Sequence, residues 1–529
     1  MQLTIASAAL SLVLASVGSS FASPSLSPPR ALSARDTAFE VYPRSNSLTT
    51  CLKNAGISNP VTASSSNYQS DIAAYNQRLQ PKPVAVVHPT TTAQVASALK
   101  CAAAAGVPVS ARGGGHSYAS FGLGGSDGAL VIDLAKFKTI SVDSSGKAAI
   151  GAGMRLGDIA LALNKKGWAL SHGTCPFVGA GGHQSYGGFG LAARQWGLML
   201  DSVVAYDVVL ANGTILNGVT RSNNPDLFFA LNGAAPSFAI VTTFYNQAQH
   251  APANAVIWSY SYNGIGASTA AQIFDHFQSY GNLTAPANLG MQLTIGTGGS
   301  VTVSGVWYGP EGELGSILSP LTSALPSGYT SSIESYSWID SLQQLAGDQK
   351  LNTTGQKNSR DDFYTKSLLT PAVAPITEDV LTKFFNYLWK TNTNTNWFVQ
   401  WDVYGGQYSE INKIHTTSES SFAQRGKLLS SQMYASSSSY GPPYPQSGLD
   451  FVDGMYNVIV NGMTSTGAWS STSSDKNGYG AYINYVDPRL SGAQVQNLYW
   501  GSLYSRLQSI KKKYDPKNVL RNPQSISLN

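Results

Sequence analysis

Charge is scarce in this sequence. Only 12% of its 529 residues are Asp, Glu, Lys or Arg, about half of the roughly 25% that ordinary soluble domains carry. The 33 basic and 28 acidic residues leave a formal net charge of +5 that is spread along the chain. This balance excludes a strongly basic nucleic-acid-binding protein and an acidic disordered tail.

Long apolar runs are also lacking. The first one, residues 5–17, is shorter than the roughly 20 residues that a membrane span needs. Small residues follow it up to Ala22, a pattern that predicts a signal peptide over residues 1–22 and a secreted protein. Residues 23–50 are predicted to form a leader and linker. Sequons predict N-glycosylation at Asn212, Asn282 and Asn352, although Asn212 also suits a plain hairpin turn.

Cysteine is the rarest reactive residue type, with Cys51, Cys101 and Cys175 alone. An odd number in a secreted chain leaves one sulfur that an internal disulfide does not explain. From the count alone, that sulfur is a free thiol or an intermolecular bridge. We expect a monomer because no basic or amphipathic patch stands out.

The residue composition and the pattern of predicted elements change near residue 250. Before it, short apolar strands alternate with helical patterns, whereas strands rich in Tyr, Trp, Ser and Thr follow, with amphipathic helices between them. These patterns predict an α+β protein in which an antiparallel sheet is backed by helices. Residues 491–513 are predicted to form one helix. The predicted division is a cofactor domain (51–250), a substrate domain (251–475) and a C-terminal segment (476–529) that returns to the first domain.

Two Gly-rich segments, residues 112–118 and 171–183, are the most distinctive local features. Glycine lets a backbone approach a ligand closely, and successive free N–H groups suit a pyrophosphate. Neither segment is a dinucleotide fingerprint or a P-loop. Composition alone favours tight structural turns, but each segment also carries a reactive side chain, His116 in one and Cys175 in the other.

The two segments closely resemble the flavin-attachment loops of berberine-bridge-enzyme-like oxidases, secreted members of the vanillyl-alcohol-oxidase superfamily. The similarity extends to Trp401-Asp402, Tyr482–Tyr485 and the segment 514–526. Among these proteins the chain is most similar to the fungal oligosaccharide oxidases that act on gluco-, chito- and xylo-oligosaccharides. The resemblance implies a two-lobed fold with an FAD-binding domain and a substrate domain.

The resemblance also implies the cofactor and its attachment. FAD would be bound twice, through the 8α-methyl group to His116 and through C6 to Cys175. A disulfide between Cys51 and Cys101 then leaves Cys175 as the odd sulfur, and no metal is expected. The other cofactor contacts implied are Arg112, Gly113, Gly114, Gly115, Ser117, Tyr118, Thr174, Val178, Gly179, Gly181, Gly182, His183, Gly188, Ile240, Tyr485 and Asn518.

The implied catalytic pair is Tyr485 and Asp402. A phenol with a pKa near 10 is a poor base at neutral pH, so Asp402 would accept or relay its proton. Strand alternation places Phe398, Gln400 and Asp402 on one face, while Trp401 on the other face suits sheet packing. The substrate residues implied are Tyr118, Gln292, Phe398, Gln400 and Tyr482.

Four positions qualify the resemblance. Val178 matches a loop position where, in related flavoproteins, a small residue leaves room for dioxygen beside the flavin. The resemblance therefore implies an oxidase rather than a dehydrogenase. Tyr186 and Asn232 replace residues that are usual in the family, a glycine-rich run and an arginine respectively. Gln292 stands where glucose-preferring relatives carry a basic residue. A neutral amide at this position favours N-acetylated or pentose-type sugars as substrates.

The leading hypothesis is a secreted oxidase that converts the reducing-end C1 hydroxyl of an oligosaccharide to a lactone and reduces O2 to H2O2. A second hypothesis keeps the flavin but makes a secondary metabolite the substrate. A third is a non-enzymatic sugar-binding module, supported by the uncharged second half of the chain.

Overall fold

The computed structural model describes residues 42–414 and 418–529. The predicted signal peptide, residues 1–22, and the leader up to residue 41 lie outside this part of the chain. Residues 42–50, predicted as linker, belong to the helix Tyr42–Asn54. The predicted boundary at residue 51 therefore falls inside this helix.

The strands form three main sheets. The strand bounds are β1 Ala85–Val87, β2 Val109–Arg112, β3 Leu130–Asp133, β4 Ile140–Val142, β5 Lys147–Gly151, β6 Trp168–Ala169, β7 Val203–Leu210, β8 Ile215–Val219, β9 Ala239–Gln247, β10 Gln249–His250, β11 Ala255–Tyr262, β12 Leu289–Ile295, β13 Val301–Trp307, β14 Thr330–Tyr336, β15 Phe363–Pro371, β16 Thr395–Val403 and β17 Lys427–Ser437. A parallel sheet has the order β1-β3-β2, and an antiparallel sheet has the order β4-β5-β9-β7-β8. A larger antiparallel sheet has the order β14-β11-β13-β12-β16-β17-β15.

Helices cover one face of the larger sheet. Side chains from α8, α9, α11 and α12 share a buried core with strands β11, β12, β13, β15, β16 and β17. This arrangement confirms the predicted α+β class with an antiparallel sheet backed by helices. The helix bounds are α1 Tyr42–Asn54, α2 Tyr68–Asp71, α3 Thr92–Ala105, α4 Leu156–Asn164, α5 Ala180–Ser185, α6 Ala193–Trp196, α7 Pro225–Ala234, α8 Ala267–Leu283, α9 Leu314–Thr322, α10 Trp338–Leu345, α11 Glu378–Lys390, α12 Gln446–Ser465, α13 Gly492–Val495 and α14 Tyr504–Tyr514.

A second core joins the two smaller sheets. It contains apolar residues of α1, α3, α7 and β9, together with Leu507 and Ile510 of α14. Cys51 in α1 and Cys101 in α3 form the expected disulfide, with their Cα atoms 5.7 Å apart. No helix in residues 42–414 and 418–529 is long and apolar enough to cross a membrane.

Helix α3 illustrates how the sequence specifies local structure. The Thr91 side chain accepts a hydrogen bond from the Gln94 amide, which caps the first turn. Val95 and Leu99 are buried at helical spacing. Gly106 ends the helix with φ of 66°, a left-handed conformation that favours glycine.

Residues 491–513 do not form the single helix that was predicted. Helix α13 passes into a π-helical turn at Gln496–Trp500 and a 3-10 turn at Gly501–Leu503 before α14 begins. Gly501 has φ of 50°, and a Cβ at this position would lie 2.3 Å from Ser474 Oγ. A left-handed residue packed this tightly against a neighbouring loop interrupts a regular helix.

Candidate active site

The two Gly-rich loops pack directly against each other. A Cβ on Gly114 would lie 2.4 Å from the Gly179 nitrogen, and a Cβ on Gly179 would lie 2.1 Å from the Gly114 nitrogen. Only glycine at both positions permits this backbone contact. The contact brings the side chains of His116 and Cys175 together.

The Cys175 Sγ lies 3.7 Å from His116 Nε2. Burial, together with the charge of Arg155, lowers the pKa of His116 to about 3, so its imidazole is neutral at neutral pH. Burial raises the pKa of the Cys175 thiol. The pair thus consists of a neutral imidazole with a free nitrogen lone pair and a protonated thiol.

Two contacts to this pair have no counterpart in the sequence motifs. The Tyr75 ring stacks on His116 with 3.7 Å between ring centroids. The Cys175 thiol donates to Gln349 Oε1 over 3.3 Å. Both residues come from segments remote from the loops, and no local pattern marks them.

The residues of the first Gly-rich loop are half-buried, and two of their side chains form hydrogen bonds within the protein. Arg112 donates to the Asp133 carboxylate, with Nε 2.7 Å from Oδ2, and to the Asp71 carbonyl. Ser117 Oγ accepts from the Phe121 amide. The guanidinium of Arg112 is therefore held by an ion pair, which keeps the loop in place.

The second Gly-rich loop has one open position. Gly182 is exposed, and a Cβ there would meet no atom within 4 Å, so a ligand can reach the backbone of α5. Thr174 is exposed as well. By contrast, Gly113 and Gly181 pack against the Ala152 carbonyl, each placing a Cβ 2.9 Å from it.

Four further predicted cofactor residues are buried or, in the case of Asn518, half-buried. His183 is buried, its Nε2 accepts from the Gly173 amide, and burial lowers its pKa to about 3. A Cβ on Gly188 would lie 2.6 Å from Met199 Cβ, so close packing explains this glycine. Ile240 lies in β9 at 1% exposure. Asn518 has φ of 51° and a buried Oδ1 without a hydrogen-bond partner in the described structure.

Tyrosines connect the loops to the C-terminal segment. The Tyr118 ring is stacked with Tyr75 at 6.1 Å and with Tyr485 at 6.0 Å between centroids. Burial, and secondly the charge of Asp402, raises the pKa of Tyr485 well above 10. Tyr485 therefore stays protonated unless a neighbouring base accepts its proton.

Asp402 is the buried carboxyl group whose charge acts on Tyr485. It is 2% exposed, and burial raises its pKa to about 7 despite a hydrogen bond from Gln400. Within the described residues, the Asp402 carboxylate accepts hydrogen bonds from the Gln400 side chain and forms none with Tyr485. The coupling between Asp402 and Tyr485 is electrostatic in this structure.

One face of the larger sheet forms the wall beside Asp402. Strand register sets Gln292 of β12 opposite Asp402 and Gln432 of β17 opposite Gln400. Phe398 stacks on Tyr434 at 5.0 Å. Trp401 points to the opposite face, where it is fully buried, as the predicted packing role requires.

Gln432 is a site residue that the sequence did not reveal. Its Nε2 donates to the Tyr118 hydroxyl over 2.9 Å, which links the sheet wall to the first Gly-rich loop. Only strand pairing between β16 and β17 brings it beside Gln400.

Tyr482, predicted to contact substrate, has partners within the protein. Its side chain is 2% exposed, and its hydroxyl accepts from the amides of Gly188 and Phe189, each over 2.9 Å. Asn484 Nδ2 donates to the same oxygen. This hydroxyl therefore holds the loop after α5 in place.

The three residues singled out beside the flavin-attachment motifs make contacts within the protein. Tyr186 packs against the core that joins the smaller sheets. Asn232 is fully buried and donates to the Leu200 carbonyl and to the Tyr206 hydroxyl. Val178 is half-buried beside a small apolar cluster, and its carbonyl accepts from the Leu156 amide.

The three sequons differ in accessibility. Asn212 and Asn352 are exposed in turns, where each side-chain oxygen accepts from the backbone amide two residues further on. Asn282 is half-buried, and its Nδ2 donates to the Ala372 carbonyl.

Comparison with known proteins identifies the family. A family model described as "FAD binding domain" matches residues 83–218, and one described as "Berberine and berberine like" matches residues 481–527. Over 481 residues the chain is 35% identical to a chitooligosaccharide oxidase from Gibberella zeae, covering 90% of this chain and 93% of that one. The chain belongs to the berberine-bridge-enzyme-like family of FAD-linked oxidases. The resemblance drawn from the two loops is thereby confirmed.

Two further relatives cover nearly the whole length. A xylooligosaccharide oxidase from Thermothelomyces thermophilus is 34% identical over 486 residues, covering 90% of this chain and 93% of that one. A solved structure of glucooligosaccharide oxidase from Acremonium strictum, which carries a 6-S-cysteinyl, 8α-N1-histidyl FAD, has a TM-score of 0.84 at 32% identity, covering 91% of this chain and 99% of that one. The open backbone at Gly182 and the adjacent side chains of His116 and Cys175 fit FAD. The present chain is an FAD-linked oxidoreductase.

Proposed function

We propose that this protein is a secreted carbohydrate oxidase whose FAD is bonded to both His116 and Cys175. The observation that carries the proposal is the 3.7 Å between Cys175 Sγ and His116 Nε2. Two side chains that bond to C6 and to the 8α-methyl group of one flavin ring must lie close together, because only C7 separates the two ring positions. A lone loop histidine or a lone buried thiol would not require this arrangement.

The chemistry of the two side chains supports attachment. Because the pKa of His116 is lowered to about 3, its imidazole keeps a nitrogen lone pair free at neutral pH. Cys175 is half-buried and lies in the loop packed against that of His116. The remaining predicted cofactor residues are proposed to hold the nucleotide, with the open backbone at Gly182 facing the ligand.

Bound FAD would accept a hydride from C1 of a sugar and pass the electrons to dioxygen, giving H2O2. For this to occur, a base must remove the proton of the C1 hydroxyl. Tyr485 takes that role, and its own proton passes to Asp402. The raised pKa of Asp402, about 7, makes its carboxylate a stronger base than an exposed aspartate.

Amides and aromatic rings on one face of the sheet support a neutral sugar as substrate. Gln292, Gln400 and Gln432 lie on one face of the sheet, and Phe398 with Tyr434 supplies an aromatic surface on the same face. Amides hydrogen-bond sugar hydroxyls, and aromatic rings pack on the apolar face of a pyranose. We propose that the reducing end of an oligosaccharide binds here, where its C1 hydroxyl becomes a lactone that hydrolyses to the aldonic acid.

Tyr482 and Val178 complete the proposal. Tyr482 is proposed to act on substrate through the loop that it holds rather than by direct contact. Val178 is proposed to leave space for dioxygen. We propose that the cofactor domain (51–250), together with the returning C-terminal segment (476–529), forms one side of the site and that the substrate domain (251–475) forms the other.

Two measurements test the function. The purified protein should be yellow, and its colour should stay with the polypeptide after acid precipitation but be released when His116 and Cys175 are both replaced by alanine. Cellobiose, chitobiose or xylobiose should yield H2O2. A colourless protein would defeat the oxidase proposal, and a yellow protein that oxidises no reducing sugar would favour a secondary metabolite as substrate.

A further inference from the structure

A loop from the substrate side of the molecule reaches the sulfur of Cys175. The segment 346–354, here called the 346–354 loop, follows helix α10 and carries Gln349, whose Oε1 accepts from the Cys175 thiol over 3.3 Å. Gln343 in α10 holds the loop, because its Nε2 donates to the Gln349 carbonyl over 2.9 Å. The same side chain accepts from the Leu351 amide.

The far end of the loop is fastened to α4. The Asp158 carboxylate accepts from the Thr353 amide over 3.0 Å and from the Thr353 hydroxyl over 2.5 Å. Between these contacts and Cys175 there is no room for a side chain on Gly157, whose Cβ would lie 2.1 Å from the Leu351 carbonyl oxygen and 2.7 Å from Pro176 Cβ. The loop, the start of α4 and the Cys175 segment are therefore packed as one unit.

The loop also determines which acceptor receives the hydrogen bond of the Cys175 thiol. Cys175 has two acceptors within reach, His116 Nε2 at 3.7 Å and Gln349 Oε1 at 3.3 Å. A thiol has one proton to donate, so the shorter contact directs it to Gln349 and leaves the imidazole nitrogen unshared. Both groups are then free to bond to the same ring system.

We propose that Gln349, fixed by the Asp158–Thr353 contact, is a positioning residue for the bond between Cys175 and the flavin. This inference rests on the proposed two-point attachment. In that step the Cys175 Sγ–H bond and the C6–H bond of the flavin break, and an Sγ–C6 bond forms. The two electrons reduce dioxygen, which takes up both protons to give H2O2.

The test compares full-length variants purified with FAD under argon and then exposed to air. Peptide mass spectrometry follows the thioether and the histidyl bond separately over time. We expect Gln349→Met, which keeps the volume but removes the acceptor, to form the thioether about fivefold more slowly, the effect of losing one hydrogen bond. Gln349→Glu keeps an acceptor oxygen and should stay closer to the wild-type rate. Gln344→Met, at an exposed position in helix α10 just before the loop, is the matched control and should equal wild type.

The outcomes separate this inference from the proposed function. A wild-type protein without a thioether would refute the two-point attachment itself. A wild type with both bonds, combined with an unchanged thioether rate in Gln349→Met, would overturn the role of Gln349 alone. If Gln349→Met does not accumulate, Asp158→Ala releases the loop without touching the sulfur, and an unchanged rate in that variant would overturn the inference equally. Equal slowing of both bonds would also overturn it, because it would indicate a general loss of structure.

Discussion

The side-chain amide of Gln400 donates to both carboxylate oxygens of Asp402, over 3.0 and 3.1 Å. The two residues are two positions apart on one face of β16. This hydrogen bonding lowers the pKa of Asp402, but the effect of burial is larger and leaves the value at about 7. A carboxylate with this pKa changes its protonation state in the range where an enzyme at neutral pH can use it.

Asp402→Asn should remove the proposed proton acceptor. We expect kcat/KM on an oligosaccharide to fall by about 100- to 10,000-fold, the usual contribution of a general base. In the wild type, kcat/KM should rise with pH through about 7 as Asp402 ionises, and this limb should be absent from the variant. Oxygen consumption across pH 5–9, roughly the range around that pKa, measures both effects. A limb that persists in the variant would assign the ionisation to another group.

The same shift predicts how stability depends on pH. The pKa of Asp402 rises from 3.8 to about 7 on folding, so the native state holds the proton more tightly and the free energy of unfolding falls as pH increases between these values. At about 1.4 kcal/mol per pKa unit, the loss above pH 7 is about 4 kcal/mol. We therefore expect Asp402→Asn to have a higher Tm than wild type at about pH 8 but a similar Tm at about pH 4. Equal Tm values at the higher pH would contradict this account.

Tyr482→Phe should cost stability, because the amides of Gly188 and Phe189 lose their shared acceptor. An unsatisfied buried donor costs about 1–3 kcal/mol, and urea unfolding measures the change. Tyr485→Phe is the matched control, since its hydroxyl makes no hydrogen bond in the part of the chain that the structure describes. That variant should keep its stability and lose turnover. If Tyr485→Phe lost stability while Tyr482→Phe kept its stability and lost turnover, Tyr485 would be the structural residue and Tyr482 the catalytic one.

Loss of the disulfide should destabilise the first half of the chain. Cys51 and Cys101 are 50 positions apart, and closing a loop of this length contributes about 4 kcal/mol in the chain-entropy treatment. Replacing both cysteines by serine should lower the free energy of unfolding by about this amount. Bonding of FAD to the protein should persist, because Cys175 is a separate sulfur. A variant as stable as wild type would show that the bridge adds nothing to the packing of α1 on α3.

Glycans should be found at Asn212 and Asn352 but not at Asn282. The first two side chains are exposed, whereas Asn282 is half-buried and donates to the Ala372 carbonyl. Secreted protein treated with a glycosidase that converts the linked Asn to Asp should show the mass change in the peptides of the two exposed sites. Modification of Asn282 in folded protein would show that its segment opens before or during secretion.

Much of the local structure could be predicted from the sequence. The short apolar strands predicted before residue 250 are present, for example at Lys147–Gly151 and Val203–Leu210, because short apolar runs between turn residues depend on nearby positions alone. The helix predicted over 491–513 was wrong at Gly501, where contact with Ser474 rather than helical periodicity decides the backbone. The contacts of Tyr75, Gln349 and Gln432 could not be predicted, since each depends on how distant segments pack.

The sequence by itself determined the loop chemistry and the strand faces. Glycine freedom and the two-residue period of a strand are properties of short segments, so Gly114, Gly179 and the face shared by Gln400 and Asp402 could be predicted from them. Only the tertiary structure decided that Tyr75 stacks on His116 and that burial raises the pKa of Asp402 to about 7. Distances between remote residues and exclusion of water arise from the packing of the whole chain, and no local pattern encodes them.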